Sequence, residues 1–157
     1  MTELRVIAIP SDRLERLRRE QRDDLGNPVT ARAALGWEPL RCCLRVAAVG
    51  EAIALISYEP FAHRSPWSEA GPVFVHLDEC AGYRTPAQLP TELRTGPRVL
   101  RTYAADGSLD YEDITLVEDG VDLEPALTEL LARPDVARVH VRAHLSQCFT
   151  YEVRATD

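Results

Sequence analysis

Four cysteines and four histidines carry most of this chain's potential for chemistry. His76-x3-Cys80 and His144-x3-Cys148 share one spacing, and each lies where an apolar alternation gives way to loop residues. Two nitrogens and two sulfurs would complete a tetrahedral zinc set if the pairs met in space. Usual zinc hooks use tighter cysteine pairs, and lone buried cysteines are common without metal. No metal ligand and no cofactor are therefore expected. A thiolate mechanism would instead need Cys80 or Cys148 beside His76 or His140 as base. Nothing in the sequence marks either cysteine as acidic, so no catalytic residue is assigned and enzyme status stays open. Cys42 and Cys43 fall in a segment that reads as a strand. Adjacent strand side chains point to opposite faces, so these two are not expected to bond to each other.

The second source of chemistry is arginine. All 18 basic residues are Arg. Without lysine there is no Schiff-base chemistry, no P-loop lysine and no kinase lysine. The eight glycines form no phosphate-binding loop, and no GxSxG elbow is present. Arginine still binds carboxylate and phosphate bidentately. Arg101 and Tyr103 share one face of a predicted strand. Arg138, His140 and Arg142 share the face opposite Val139 and Val141 on another. If those faces are covered, Arg101, Tyr103, His140 and Arg142, with His76 nearby, form a candidate pocket for an anionic small molecule or peptide carboxylate. The competing expectation is pairing with acids, for example Arg142 with Glu152 across the last hairpin.

The elements that must position these groups follow from periodicity. Leu4 to Ile9 reads as a strand stopped by Pro10. A helix from Ser11 or Asp12 to about Asp24 follows, with Asp12 and Glu15 in capping-box positions. Its apolar stripe is thin: Leu14, Leu17 and Leu25. Thr30 to Leu35 reads as a short helical turn. Arg41–Ala48 and Ala52–Tyr58 read as a hairpin, and Pro72–Leu77 as a strand. Asp106-Gly107 marks a hairpin between Arg98–Ala105 and Asp110–Glu118. Asp122 caps a second helix, with Leu123, Leu127, Leu130 and Leu131 on one stripe. Val136–Ala143 and Cys148–Arg154 close the chain as a hairpin, with Val139, Val141 and Ala143 facing Phe149, Tyr151 and Val153. The expected fold is α+β, a mostly antiparallel sheet of about eight strands with two main helices, forming a single domain over residues 1–157.

Composition bounds the partners. The net charge of −7 argues against nucleic acid. No apolar run approaches the roughly 18 residues of a membrane span. The first residues lack a secretory pattern, so a cytoplasmic protein with four reduced thiols is expected.

The segments LRCCLR, LISYEPF, SPWSEAGPVFVH with Cys80, VLRTYAADG and VARVHVRAHLSQCFTYEVR together resemble a bacterial family known as a domain of unknown function (DUF family 1203). The resemblance runs from about Leu40 to the C-terminus. Members usually carry Asn after the Arg of the VHVR segment and Gly before the last Cys, where this chain has Ala143 and Gln147. The resemblance implies one compact domain and assigns no activity, cofactor or catalytic residue. The favoured expectation is thus a soluble binding module for an anion. The alternatives are a zinc- or thiol-dependent protein using His76, Cys80 and Cys148, or a self-associating domain forming a homodimer through a sheet edge.

Overall fold

The structure is a computed structural model and describes residues 2–156. In chain order its elements are β1 (Leu4–Ile7), α1 (Ser11–Glu20), β2 (Ala31–Ala33), β3 (Pro39–Leu40), β4 (Arg45–Val46), β5 (Ala52–Tyr58), β6 (Gly71–His76), β7 (Arg98–Tyr103), β8 (Leu109–Val117), α2 (Glu124–Leu131), β9 (Arg138–Ala143) and β10 (Phe149–Ala155). The strands form two five-stranded sheets, β1-β10-β9-β7-β8 and β2-β5-β6-β3-β4. Every pairing is antiparallel except β3 with β6. The chain is mostly β with two helices, and its pairing is mostly antiparallel as expected; the strands are more numerous and divide into two sheets.

Strict alternation gives the first sheet two unlike faces. Val139 and Val141 of β9 are fully buried on one of them, with Leu100, Tyr151 and Val153 from neighbouring strands. Helix α2 covers this face with Leu127, Leu130 and Leu131. Leu123 joins them, and Leu89 and Leu93 arrive from the long loop before β7. The opposite face carries Arg101, Arg138, His140, Arg142 and Glu152. Arg101 and Glu152 lie directly across from His140 on the two flanking strands. The second core lies around β5, β6 and α1, where Leu14 and Leu17 pack with Leu40, Ile53, Val73 and Val75.

Several local expectations are corrected. Residues 31–33 pair with β5 as a strand, not a helical turn. The Arg41–Ala48 segment is not one strand and does not form a hairpin with β5. It is a helical turn, closed by Leu44 N–H to Leu40 O at 2.9 Å, followed by the two-residue β4, which pairs with β3. Helix α1 ends at Gln21, which adopts φ 52°, and Pro10 rather than Ser11 or Asp12 precedes it, with no side-chain cap. Leu25 is exposed. A register shift between Phe149 and Tyr151 turns Phe149 out of the first core and into the second. By contrast the β7–β8 hairpin forms as expected, its turn closed by Gly107 at φ 89°, a conformation glycine adopts without strain. The β9–β10 turn places Gln147 at φ 60°, a conformation uncommon for a residue other than glycine.

Truncating the best-buried residue of α2 should be costly. Leu127→Ala is expected to destabilise the protein by about 2–5 kcal/mol in urea unfolding. The exposed Leu116→Ala on β8 should change it by less than about 0.5 kcal/mol.

Candidate functional site

The helical turn after β3 decides where the first two cysteines point. In a strand successive side chains diverge by half a rotation; in a helical turn they diverge by about 100° and can share a surface. Leu44 ends the turn at φ 58°, an uncommon conformation for a branched residue. As a result Cys42 and Cys43 lie on one side, their sulfurs 4.0 Å apart, both facing His76 at the end of β6. His76 Nδ1 is 3.4 Å from the Cys42 sulfur and 3.7 Å from that of Cys43. Cys80, in the loop after β6, completes a group whose four ligand atoms all lie within 4.8 Å of one another. The His76 backbone N–H also donates to the Cys42 sulfur at 3.3 Å.

A carboxylate orients the imidazole. Glu51 Oε2 is 2.6 Å from His76 Nε2. A carboxylate can only accept, so Nε2 carries the hydrogen, and in the neutral ring the Nδ1 lone pair faces the thiols. Glu51 is itself clamped by Arg45, with Nη1 to Oε1 at 2.7 Å and Nη2 to Oε2 at 2.8 Å, and it accepts the Ala48 N–H at 2.7 Å. The Arg45 contact holds its carboxyl well below the usual range. Between the sulfurs, the hydrogen bond with Cys43 and then burial push the Cys42 thiol up. The same bond, opposed by burial, draws the Cys43 thiol down. The bond the two thiols share thus pushes them in opposite directions. Cys42 and Cys80 border a cavity of about 300 Å³, also lined by Ile9, Leu14, Arg18 and Tyr83. Arg18 donates to the carbonyl oxygens of His76 at 3.4 Å and Asp78 at 2.8 Å, which holds a cation on the wall of this cavity.

The other four candidates stand on the polar face of the first sheet. His140 is fully buried, its ring centroid 4.7 Å from that of Tyr103 and 5.0 Å from those of Phe61 and Phe149. Its Nε2 meets Glu152 Oε2 at 2.8 Å. Tyr103 is likewise buried. Arg101 and Arg142 reach outward to a second cavity of about 300 Å³, which also holds Cys148 and Glu69. Arg142 pairs with Glu69, not with Glu152 across the hairpin as the pairing expectation had it. Glu152 instead takes His140, Arg154 and, at 3.9 Å, Arg138. His76 thus belongs with the thiols on the second sheet, apart from the arginines. His144 and Cys148 do not enter the thiol group. Nothing in the local sequence, which lacks Gly, Pro or Asn at the turn, points to the meeting of Cys42, Cys43 and Glu51 with His76.

A family model described as a protein of unknown function (DUF1203) matches residues 37–155, spanning both sites. The chain belongs to that family. No curated protein and no solved structure matches it.

The His140–Glu152 pair makes stability acid-sensitive. Burial lowers the His140 pKa from 6.5 despite Glu152, so the ring folds neutral. The unfolded chain takes up that proton below about 6.5, and stability falls as pH drops through this range. Burial raises the Glu152 carboxyl, but His140 and the adjacent arginines outweigh it and hold it below 4.5. Its contribution is complete above 4.5 and fades at lower pH. His140→Gln should flatten the stability profile between about pH 6.5 and 5 by up to about 1.4 kcal/mol per pH unit, measured by urea unfolding.

Proposed function

We propose that this member of the DUF1203 family is a zinc-binding protein whose ligands are the sulfurs of Cys42, Cys43 and Cys80 and Nδ1 of His76. One observation carries the reading: the spacing of the donor atoms. A tetrahedral centre with Zn–S near 2.3 Å and Zn–N near 2.0–2.1 Å has S···S edges of about 3.8 Å and S···N edges of about 3.6 Å. The chain holds 4.0 Å between the sulfurs of Cys42 and Cys43, and 3.4 and 3.7 Å from these to Nδ1. A cation thus needs only tenths of an ångström of movement from these three groups.

The surroundings have the character such a centre requires. A carboxylate on the far nitrogen of a ligating histidine fixes its tautomer and raises its basicity, which is the part Glu51 plays on His76. The backbone N–H on the Cys42 sulfur offsets thiolate charge. Three thiolates around a divalent ion leave one net negative charge, and Arg18 and Arg45 stand close by to balance it. Three cysteines and a histidine form a closed structural set. Its role here is to tie the turn after β3, the end of β6 and the following loop into one unit beside the cavity. The foursome suggested by spacing, His76, Cys80, His144 and Cys148, is not the one proposed, which takes Cys42 and Cys43 in place of His144 and Cys148.

A second reading has its own support. Cys43, His76 and Glu51 stand in the order of nucleophile, base and orienting carboxylate, at 3.7 and 2.6 Å. It requires Cys43 to be free of metal.

Purified without chelator, the protein should carry about one zinc per chain by elemental analysis. Cobalt substitution should produce tetrahedral d–d bands with intense sulfur-to-metal charge transfer, and Cys80→Ser should abolish both. Chelation should lower the melting temperature, because metal affinity is folding free energy. A protein that takes up neither ion after reconstitution under reducing conditions sinks the metal reading. Rapid, selective alkylation of Cys43 by iodoacetamide in that same metal-free protein would then favour the nucleophile.

A further inference from the structure

Glu69 closes the loop between β5 and β6 and is half exposed, with 51% of its side chain accessible. Its Oε1 accepts from Arg101 Nη1 at 3.0 Å and forms an ion pair with Arg142 Nη2 at 2.7 Å. The two arginines are mounted on adjacent strands, β7 and β9, whose alternate residues lie in the core, so their direction is set by the sheet. Arg142 is the more deeply held. Its side chain is 7% exposed, its Nη1 donates to Gln147 O at 2.7 Å, and its buried Nε has no acceptor.

The charges do not balance locally. Two guanidinium groups share one oxygen of one carboxylate, while Glu152, across from His140 on this face, is committed to His140, Arg138 and Arg154. A buried cation with an unused donor is expensive unless an anion answers it. Burial, and then the nearby charge of Arg101, pull the Arg142 pKa down. Beside the pair lies a cavity of about 300 Å³, walled by Tyr58 and Phe149 and bordered by both arginines. That volume is at the small end of ligand sites. The loop carrying Glu69 is anchored at Trp67, whose indole N–H donates to the Tyr111 hydroxyl at 2.9 Å, two residues before the carboxylate.

We propose that Arg101 and Arg142 form a binding site for a small carboxylate, and that Glu69 occupies it in the free chain as a tethered stand-in which the incoming carboxylate displaces. This site is separate from the thiol group and does not depend on a metal there. Fork-shaped guanidinium donors match the planar oxyanion, and the apolar walls suit a short aliphatic chain. A ligand with two acceptor oxygens can use donors that a single Glu69 oxygen does not. A tethered competitor acts at an effective concentration near the millimolar range. Removing it should therefore expose a stronger site.

The test is calorimetric titration of wild type, Glu69→Gln and Glu69→Gln/Arg142→Ala with glutarate, with inorganic phosphate as a parallel probe. Glu69→Gln keeps the side-chain volume and changes a half-exposed position, so folding should be retained. Expected is glutarate binding at least about tenfold tighter in Glu69→Gln than in wild type, and its loss in the double variant. Glu69→Gln/Arg101→Ala, at the less buried arginine, gives the same answer should loss of Arg142 impair folding. Equal glutarate affinity in wild type and Glu69→Gln, no binding in either, or retention in both double variants overturns the proposal. Binding of phosphate without glutarate overturns the carboxylate assignment.

Discussion

A buried arginine between the two sheets underlies both sites. Arg41 is only 3% exposed. Its Nε donates to Phe149 O at 2.8 Å, at the start of β10, and its Nη1 to Pro39 O at 2.5 Å. Its backbone continues the link: Arg41 N–H donates to Phe74 O of β6 at 2.8 Å, and Arg41 O accepts from Ile9 N–H at 3.1 Å. One residue thus joins both ends of the molecule's polar framework. Burial draws its guanidinium down to about 10, which leaves it charged at neutral pH, and backbone carbonyls satisfy it in place of a carboxylate. Breaking such an arrangement leaves unpaired carbonyls and a cavity, the costly outcome for a buried polar group.

This anchoring has consequences in two directions. Toward the second sheet, it holds the helical turn in which Cys42 and Cys43 face His76. Toward the first, it fixes the start of β10, where the register shift sends Phe149 against His140 and Tyr58. The polar face of the first sheet is then covered by aromatic rings around His140, with cavities where Arg101 and Arg142 emerge and beside Arg138 and Glu152. Two glutamates from loops beside β5 serve these sites in parallel ways. Glu51, before the strand, aligns an imidazole; Glu69, beyond it, answers two guanidinium groups. In both cases arginine supplies the partner, as a chain without lysine requires.

The hairpins between β7 and β8 and between β9 and β10 were legible because their partners are near in sequence and their turns are short. Helix α2 was legible because four leucines fall on one stripe. The Arg41–Leu44 turn was not. Its apolar alternation matches a strand, and the residue that ends it is a leucine held at positive φ by surrounding structure, against its local preference. That one misreading hid the thiol group, because it placed Cys42 and Cys43 on opposite faces. The division into two sheets was hidden for a related reason: β2, β3 and β4 are two or three residues long, too short to show a period.

By itself the sequence determined which reactive groups are present: four thiols, four imidazoles and eighteen guanidinium groups, with no lysine amine. It also determined which face of β9 would be apolar, since strand geometry alternates side chains whatever the surroundings. Only the tertiary structure decided which groups meet. His76 and Cys80 are joined by Cys42 and Cys43 rather than by His144 and Cys148, and Arg142 meets Glu69 rather than Glu152. These are contacts between residues that lie far apart in the chain, set by how the two sheets dock and where a loop crosses. Periodicity carries no information about such encounters, because it reports the environment of a residue and not the identity of its neighbour.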